Sequence, residues 1–288
     1  MSYRLSRLMP QRAMAVVAIS CLSTLLALVG GLFAGSAQAS TLPTVPIAIT
    51  PSSATVSGAL ESGGVNVVSS DTGVKEASII VFLLKPDVSF AEAEAFIKEK
   101  KIKNDPNNTA KLGSIVFDAE GAEGKKGEVQ TYFQPGHYLL LVGAGEGEAK
   151  LRTTFTVAAS KAPVALPAPQ ATIRSIEFGF RGPSTLHDGE LVRYENEGFL
   201  VHMDFIAPVK SHKAAKQVVK DLLSGHEKAI EKLIIGQPFG AGPLSHEAFQ
   251  QETITAKPGW YVEVCFMETQ DKRPHTRLGM ERIVKIVK

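Results

Sequence analysis

His202, Cys265, His275 and Met280 together offer two imidazoles, one thiol and one thioether that a folded sheet could bring together. Cys265 lies in a strand-like run, residues 260–266, that follows the turn signal Pro258-Gly259. A polar loop leads from there to His275, and four residues separate His275 from Met280. His202 stands far upstream, in NEGFLVH. Two imidazoles and a thiolate in a plane, with a weak axial thioether, are the donor set of a mononuclear copper centre that changes oxidation state with little rearrangement. Nothing else in the sequence points to chemistry as clearly.

The cysteine count sharpens this. The chain has two cysteines, and Cys21 falls inside an N-terminal segment with the organisation of an export signal. Arg4, Arg7 and Arg12 precede an almost uncharged run over residues 13–34, and Ala37-Gln38-Ala39 offers a cleavage site before Ser40. The run is long enough to span a bilayer, so an uncleaved membrane anchor is the alternative. The cleavage motif and the small residues Gly30, Gly31 and Gly35 favour removal. Either way the remaining chain is expected to work outside the cytoplasm, in a periplasm or the extracellular space. With Cys21 gone, Cys265 has no partner for an internal disulfide. A metal ligand, an intermolecular bond or a free thiol remain as functional readings, and an inert buried thiol as the plain one.

The elements that must position these residues read as two similar halves. Residues 40–157 and 171–288 flank an Ala- and Pro-rich stretch, residues 158–170, that reads as a stiff extended linker. Residues 40–53, with Pro43, Pro46 and Pro51, read as a comparable lead-in. Pro135-Gly136-His137-Tyr138 in the first half matches Pro258-Gly259-Trp260-Tyr261 in the second. Asp71-Thr72-Gly73 before an apolar run likewise matches Asn196-Glu197-Gly198, and the glycine-to-glycine spacings are 63 and 61 residues. Two landmarks at nearly equal separation indicate a duplication. Strands are predicted over 65–68, 77–84, 114–117, 129–133, 138–142 and 153–157 in the first half. The second should have them over 172–180, 191–194, 200–206, 252–255, 260–266 and 282–287. Short strands between turn signals predict antiparallel sandwiches, an all-β chain.

Each half also carries one helical insert at the matching place. Residues 90–101 are amphipathic, and Ala214, Val218, Val219, Leu222 and Leu223 form a stripe ended by Gly225, after which Ile230, Leu233 and Ile234 begin another. Alternation along 260–266 puts Trp260, Val262, Val264 and Phe266 on one face, and Tyr261, Glu263 and Cys265 on the other; Trp260 reads as core.

The pattern P-G-x-Y-x-x-x-C followed by H-x-x-x-G-M, here Pro258, Gly259, Tyr261, Cys265, His275, Gly279 and Met280, resembles the C-terminal motif of the cupredoxins, the plastocyanin-like blue copper proteins. The segment N-x-G-x-x-x-H, Asn196 to His202, is similar to their first-histidine region. The resemblance covers about residues 172–288 and extends, by the repeat, to a first half without ligands. It implies two cupredoxin-like Greek-key β-sandwiches in tandem, the second holding one copper ion. His202, Cys265 and His275 would be equatorial ligands and Met280 axial. It further implies an electron carrier or copper holder rather than an enzyme, working with a redox partner or another envelope protein. A metal-free cupredoxin-like binding or structural module is the alternative. Two features depart from the family pattern. Nine residues separate Cys265 from His275, among them Glu268, Asp271, Lys272 and Arg273. Met203 follows His202 where many cupredoxins place a polar residue near the sulfur. In the first half, Ala77 takes the place of His202 and Val142 that of Cys265.

Other chemistries fit less well. Cys265 is flanked by Val264 and Phe266, so there is no His-Cys-His run, and the His-x-His pairs of multicopper oxidases are missing too. The glycines of GAGEG, residues 143–147, precede another strand-like stretch instead of a helix, which argues against a phosphate cradle. Asn107-Asn108-Thr109 has the form of a glycosylation sequon. His137, His187 and His246 lack partners at metal-ligand spacing and read as surface or satisfied histidines, and His212 and His226, on the helical inserts, read as surface residues. A formal net charge of +2 gives no reason to expect a nucleic-acid partner.

Overall fold

The computed structural model describes residues 41–74, 76–98, 106–122, 126–144, 151–226 and 230–288. The segment read as an export signal, the end of the first predicted helix and part of the GAGEG stretch lie outside the described residues. The chain is all-β, with two sandwiches in tandem and, among the described residues, one α-helix inserted in each. No helix among the described residues is long and apolar enough to cross a membrane.

The strands of the first half are β1 (Thr44–Ile49), β2 (Ala54–Val56), β3 (Gly63–Asp71), β4 (Glu76–Leu84), β5 (Gly113–Ala122), β6 (Lys126–Phe133), β7 (Gly136–Ala144) and β8 (Leu151–Val157). Those of the second are β9 (Ala171–Ile176), β10 (Gly179–Arg181), β11 (Thr185–His187), β12 (Leu191–Asn196), β13 (Phe205–Val209), β14 (Phe249–Thr253), β15 (Gly259–Val264) and β16 (Glu281–Val287).

One eight-stranded sheet runs through both halves in the order β2-β1-β3-β6-β14-β12-β9-β10. It is a palindrome in pairing sense as well as order. β1 with β3 and β9 with β12 are parallel, and the flanking pairs are antiparallel on both sides. The halves meet at β6 and β14, where Gln130 pairs with Gln251 and the Gln251 side chain donates to the Gln130 side-chain oxygen at 2.8 Å. Facing this sheet are two four-stranded ones, β5-β4-β7-β8 and β13-β15-β16-β11. The counterpart of β5 in the second half is broken: Ile234, Phe239 and Leu244 make isolated bridges to Val209, Ile206 and His202.

Alternation builds the two cores. In β1, Val45, Ile47 and Ile49 point inward between exposed neighbours, and in β12 the inward residues are Val192, Tyr194 and Asn196. One core gathers Val45, Ile47, Val65, Ile79, Tyr138, Leu140 and Val142; the other gathers Ile173, Val192, Tyr194, Ile206, Tyr261 and Val284. Each half locks its last hairpin in the same way. The Tyr138 hydroxyl donates to the Gln134 carbonyl at 2.7 Å and the Tyr261 hydroxyl to the Lys257 carbonyl at 2.8 Å, four residues back in both cases.

The inserts follow β4 and β13. Helix α1 (Phe90–Lys98) starts in a capping box: the Glu92 carboxylate accepts the Ser89 N–H at 2.8 Å, and Ser89 Oγ accepts the Glu92 N–H. Helix α2 (His212–Leu223) is capped by Ser211 and stopped at Gly225, whose φ of +74° is open to glycine at little cost. Its buried stripe is Ala215, Val218 and Leu222; Leu223, expected in that stripe, faces outward. Helix α2 covers the outer face of β13 and β15, so both faces of β15 are buried. Val262 and Val264 lie under the helix and Tyr261 in the sandwich. Trp260, expected in the core, is half-buried at that helix edge, against the His212 ring 4.5 Å away.

Several strand boundaries differ from the sequence reading. Residues 41–53 hold β1, paired along β3, in place of a plain lead-in. The predicted strand 172–180 is a hairpin, β9 and β10, turning at Phe178 with φ +58°. The strand expected over 200–206 begins only at Phe205, because residues 197–204 are folded into the loop that presents His202. Residues 159–169 are extended, as their prolines dictate, and are pinned to the large sheet by Gly64 N–H to Val164 O at 2.7 Å and Gln251 Nε2 to Pro167 O at 3.1 Å.

Candidate metal centre

Asn196 organises the loop that carries His202. Its side-chain amide donates to the carbonyls of Leu200 (2.7 Å) and Leu244 (2.8 Å), while its oxygen accepts the Gly198 N–H at 2.9 Å. That is the work of the asparagine in N-x-G-x-x-x-H. Gly198 fits because a Cβ there would sit 2.7 Å from both His202 Nε2 and Glu177 Oε1. His202 is then held against Leu244 by a reciprocal backbone pair, N to O at 3.2 Å and O to N at 2.8 Å.

Cys265 is the first residue beyond β15. The nine residues from there to His275 do not separate the two. Glu268 bridges Pro274, Thr269 N–H donates to Arg273 O at 3.0 Å, and the charged tip folds out as a closed hairpin. His275 N–H consequently reaches Met267 O at 2.8 Å, two residues on from the thiol. His275 opens a 3₁₀ turn, His275–Leu278, closed by Gly279 at φ +94°. Met280 follows, its N–H on His275 O at 3.1 Å and its carbonyl on the Cys265 N–H at 3.2 Å.

Three donors converge. Cys265 Sγ lies 3.4 Å from His275 Nδ1 and 3.8 Å from His202 Nδ1, and the two Nδ1 atoms are 3.2 Å apart. His202, Cys265 and His275 are the one group of three or more His, Cys, Asp or Glu residues among the described residues whose ligand atoms all fall within 4.8 Å of one another, and all three are buried. A trigonal plane with metal–nitrogen bonds near 2.0 Å and a metal–sulfur bond near 2.3 Å would set its donors about 3.5–3.8 Å apart. The observed separations sit close to that triangle. Met280 is fully buried in the apolar cluster that also holds Cys265, Met267 and Val201.

Burial governs the protonation of this cluster. Loss of solvent, then the neighbouring His275, brings His202 down to about 4, against an upward pull from Glu177. Burial likewise brings His275 to about 4. Burial lifts the Cys265 thiol to about 12, opposed by the N–H groups of Met203 and Met267. Both imidazoles are therefore neutral, with ring lone pairs available, and a cation entering the triangle would replace the thiol proton. The sulfur does have a hydrogen-bond donor from residue 203: the backbone N–H of Met203 points at Sγ, 3.4 Å away. The side chain whose apolar nature departs from the cupredoxin pattern leaves the main chain to do that work.

Two contributors were not read from the sequence. Glu177, beyond β9, accepts the N–H groups of Phe199 and Leu200 (3.2 Å for the latter) and brings Oε1 to 3.9 Å from His202 Nε2. Partial burial disfavours its charge, yet those amides and His202 keep its pKa below the usual carboxylate value. Phe178, at the turn beside it, meets the His275 ring edge-on at 5.2 Å. Beneath the loops lies a buried polar chain: Ser175 Oγ donates to the Asp204 carboxylate (3.2 Å), and Glu263 is ion-paired with Arg282. Burial, then the Glu263 charge, drives Asp204 well above the ordinary carboxylate range.

No protein-family model matches the sequence, and no curated relative does. Among solved structures, an auracyanin from Roseiflexus castenholzii aligns over 41% of this chain and 95% of its own, at 19% identity and a TM-score of 0.26. A copper-containing nitrite reductase from Thermus scotoductus aligns over 85% of this chain and 67% of its own, at 12% identity and a TM-score of 0.25. A multicopper oxidase from Pediococcus acidilactici aligns over 85% and 59%, at 10% identity and a TM-score of 0.23. At such scores the copper assignment draws on the donor triangle alone.

Proposed function

We propose that the protein is an exported copper protein whose second half, residues 171–288, would hold one copper ion through His202, Cys265, His275 and Met280. The first half, residues 40–157, is its ligand-free duplicate. The observation that carries the reading is the buried triangle of two Nδ1 atoms and one thiol sulfur, with edges of 3.2, 3.4 and 3.8 Å. When bound, copper would supply one-electron chemistry. The residues' part is to hold soft and borderline donors in one compromise geometry, to exclude water, and to keep both imidazoles neutral.

An electron carrier fits this better than an enzyme, because outer-sphere transfer requires only a shielded ion and a surface for a protein redox partner. The absence of a His-Cys-His run at Cys265 speaks against an oxygen-reducing copper cluster. Export rests on the N-terminal charge, hydrophobic run and A-x-A site alone.

Titration of the purified mature chain with Cu(II) tests the assignment. One equivalent should bind and raise an intense visible thiolate-to-copper band, and Cys265→Ala should abolish the band. No band and no stoichiometric uptake would leave a metal-free cupredoxin-like module.

A further inference from the structure

We infer that the ligand-free half is the clamp that sets the position of the His202 loop, and that Asn107 is its positioning residue; the copper consequence rests on the function proposed above. Asn107 belongs to a 3₁₀ turn of the first half, Pro106–Lys111. Its side-chain oxygen accepts the Val201 N–H at 2.8 Å, one residue before His202 and 94 residues along the chain. Its side-chain amide faces the Glu268 carbonyl at 3.5 Å, at the base of the hairpin between Cys265 and His275. One carboxamide thus touches both segments that bring ligands to the triangle.

A second tie acts from the other side. Ile115 of β5 exchanges hydrogen bonds with Ser245, N–H to Oγ at 2.9 Å and O from N–H at 3.0 Å. Ser245 follows Leu244, the residue paired in both directions with His202. The contact is also apolar. Phe82, Leu84, Leu112, Ile115, Leu139 and Leu141 of the first half form one cluster with Val201, Cys265, Met267 and Met280. The outer face of the first small sheet is therefore the floor of the site. In the second half, the matching face is covered by α2. The sequon asparagine is already engaged here, and the carboxamide a glycan would need is the one that holds the loop.

Amide hydrogen exchange on the copper-free mature chain reads the clamp directly. Losing a side-chain acceptor worth about 1.4 kcal/mol should speed exchange at Val201 about tenfold in Asn107→Ala. Asn107→Asp keeps the acceptor and loses the donor, so Val201 should stay protected while the hairpin amides of Thr269 and Arg273 exchange faster. In the loaded protein, Asn107→Ala should weaken copper binding about tenfold and shift the thiolate band, with Asn107→Asp closer to wild type. Unchanged Val201 exchange in Asn107→Ala overturns the inference. So does Asn107→Asp loosening Val201 instead of the hairpin, a comparison that also decides the matter if the alanine variant does not fold. A wild-type chain that takes up no copper would sink the functional proposal alone, since the exchange experiment contains no metal.

Discussion

The two halves share a skeleton and differ in what fills it. The ladder pairs Ile80 with Leu141 in the first half and Phe205 with Val264 in the second, each at the same distance from its Pro-Gly turn. Moving outward from those pairs, Ala77 and Val142 stand where the second half has His202 and Cys265. One residue from the pair, outward on one strand and inward on the other, Ile79 and Leu140, both fully buried, stand where it has Asp204 and Glu263. On the large sheet, Val129 answers to Glu252. The first half thus shows that this ladder closes on apolar side chains alone. The polar residues of the second half are additions to a frame that does not require them, concentrated behind and beside one end of it. Isolated carboxylates in such positions are strongly disfavoured unless paired, so their presence marks where the second half has given up stability for something else.

Breaking that pairing should have the largest effect on stability. Glu263 is fully buried and its ion-pair partner is Arg282, itself mostly buried. Arg282→Met strands the carboxylate, and urea unfolding should show a loss of about 3–5 kcal/mol. The double variant Glu263→Leu/Arg282→Met restores the first half's leucine at that position and should return to within about 2 kcal/mol of wild type. If the double variant is as unstable as the single one, the second half is not an apolar frame with polar replacements, and the comparison fails.

How much of this could be read from the chain follows the same division. The Pro-Gly-x-Tyr turns, the order of the four candidate ligands and the helices after β4 and β13 are local signals, and each left a mark within about a dozen residues. In the sequence the hairpin at 268–274 shows as a long charged insertion. Its closure depends on the Glu268–Pro274 bridge and on Lys272 at φ +63°, neither of which has a strong local signature. Asn107 and Glu177 act on backbone amides 94 and 22–23 residues away, and only the fold brings them there. The strand at 200–206 misled because Leu200, Val201 and Ile206 look β-forming, while Asn196 bends that stretch into a loop by claiming the Leu200 carbonyl.

Glu252 gives the comparison a pH dependence. Burial raises its carboxyl to about 7 from an ordinary value near 4.5, with the Gly240 N–H, 3.2 Å from Oε1, opposing the rise. Tyr194, buried on the neighbouring strand, senses the same charge. The folded state then binds this proton more tightly than the unfolded chain. The stabilisation is complete below about pH 4.5, declines as pH rises toward 7, and is gone above it. Glu252→Gln keeps the acceptor for Gly240 and removes the titration. Between pH 4.5 and 7.5 the wild type should lose about 3 kcal/mol relative to this variant in parallel urea titrations. Val129 offers no such group, so Val129→Ala should shift stability by an amount that does not change over that range. A Glu252→Gln difference that is flat with pH would mean that the carboxyl is solvated in the folded protein.

The smallest effect tests what the halves have in common. Tyr138→Phe and Tyr261→Phe each delete one hydroxyl that donates to a carbonyl four residues back, at 2.7 and 2.8 Å. Each should lower the unfolding free energy by about 1 kcal/mol, a typical net value for one such bond. The rings differ in their surroundings: Tyr138 stacks on Phe155 with centroids 5.0 Å apart, and Tyr261 meets Phe239 edge-on at 5.7 Å. Phenylalanine preserves both arrangements, so the two losses should agree to within about 0.5 kcal/mol and should add in the double variant, the rings lying in separate cores. Equal and additive losses are what a duplicated frame requires. Should Tyr261→Phe also weaken copper uptake while Tyr138→Phe does not, the corner in the second half would be transmitting its position along β15 to Cys265, four residues on, and the frame and the site would no longer be separable.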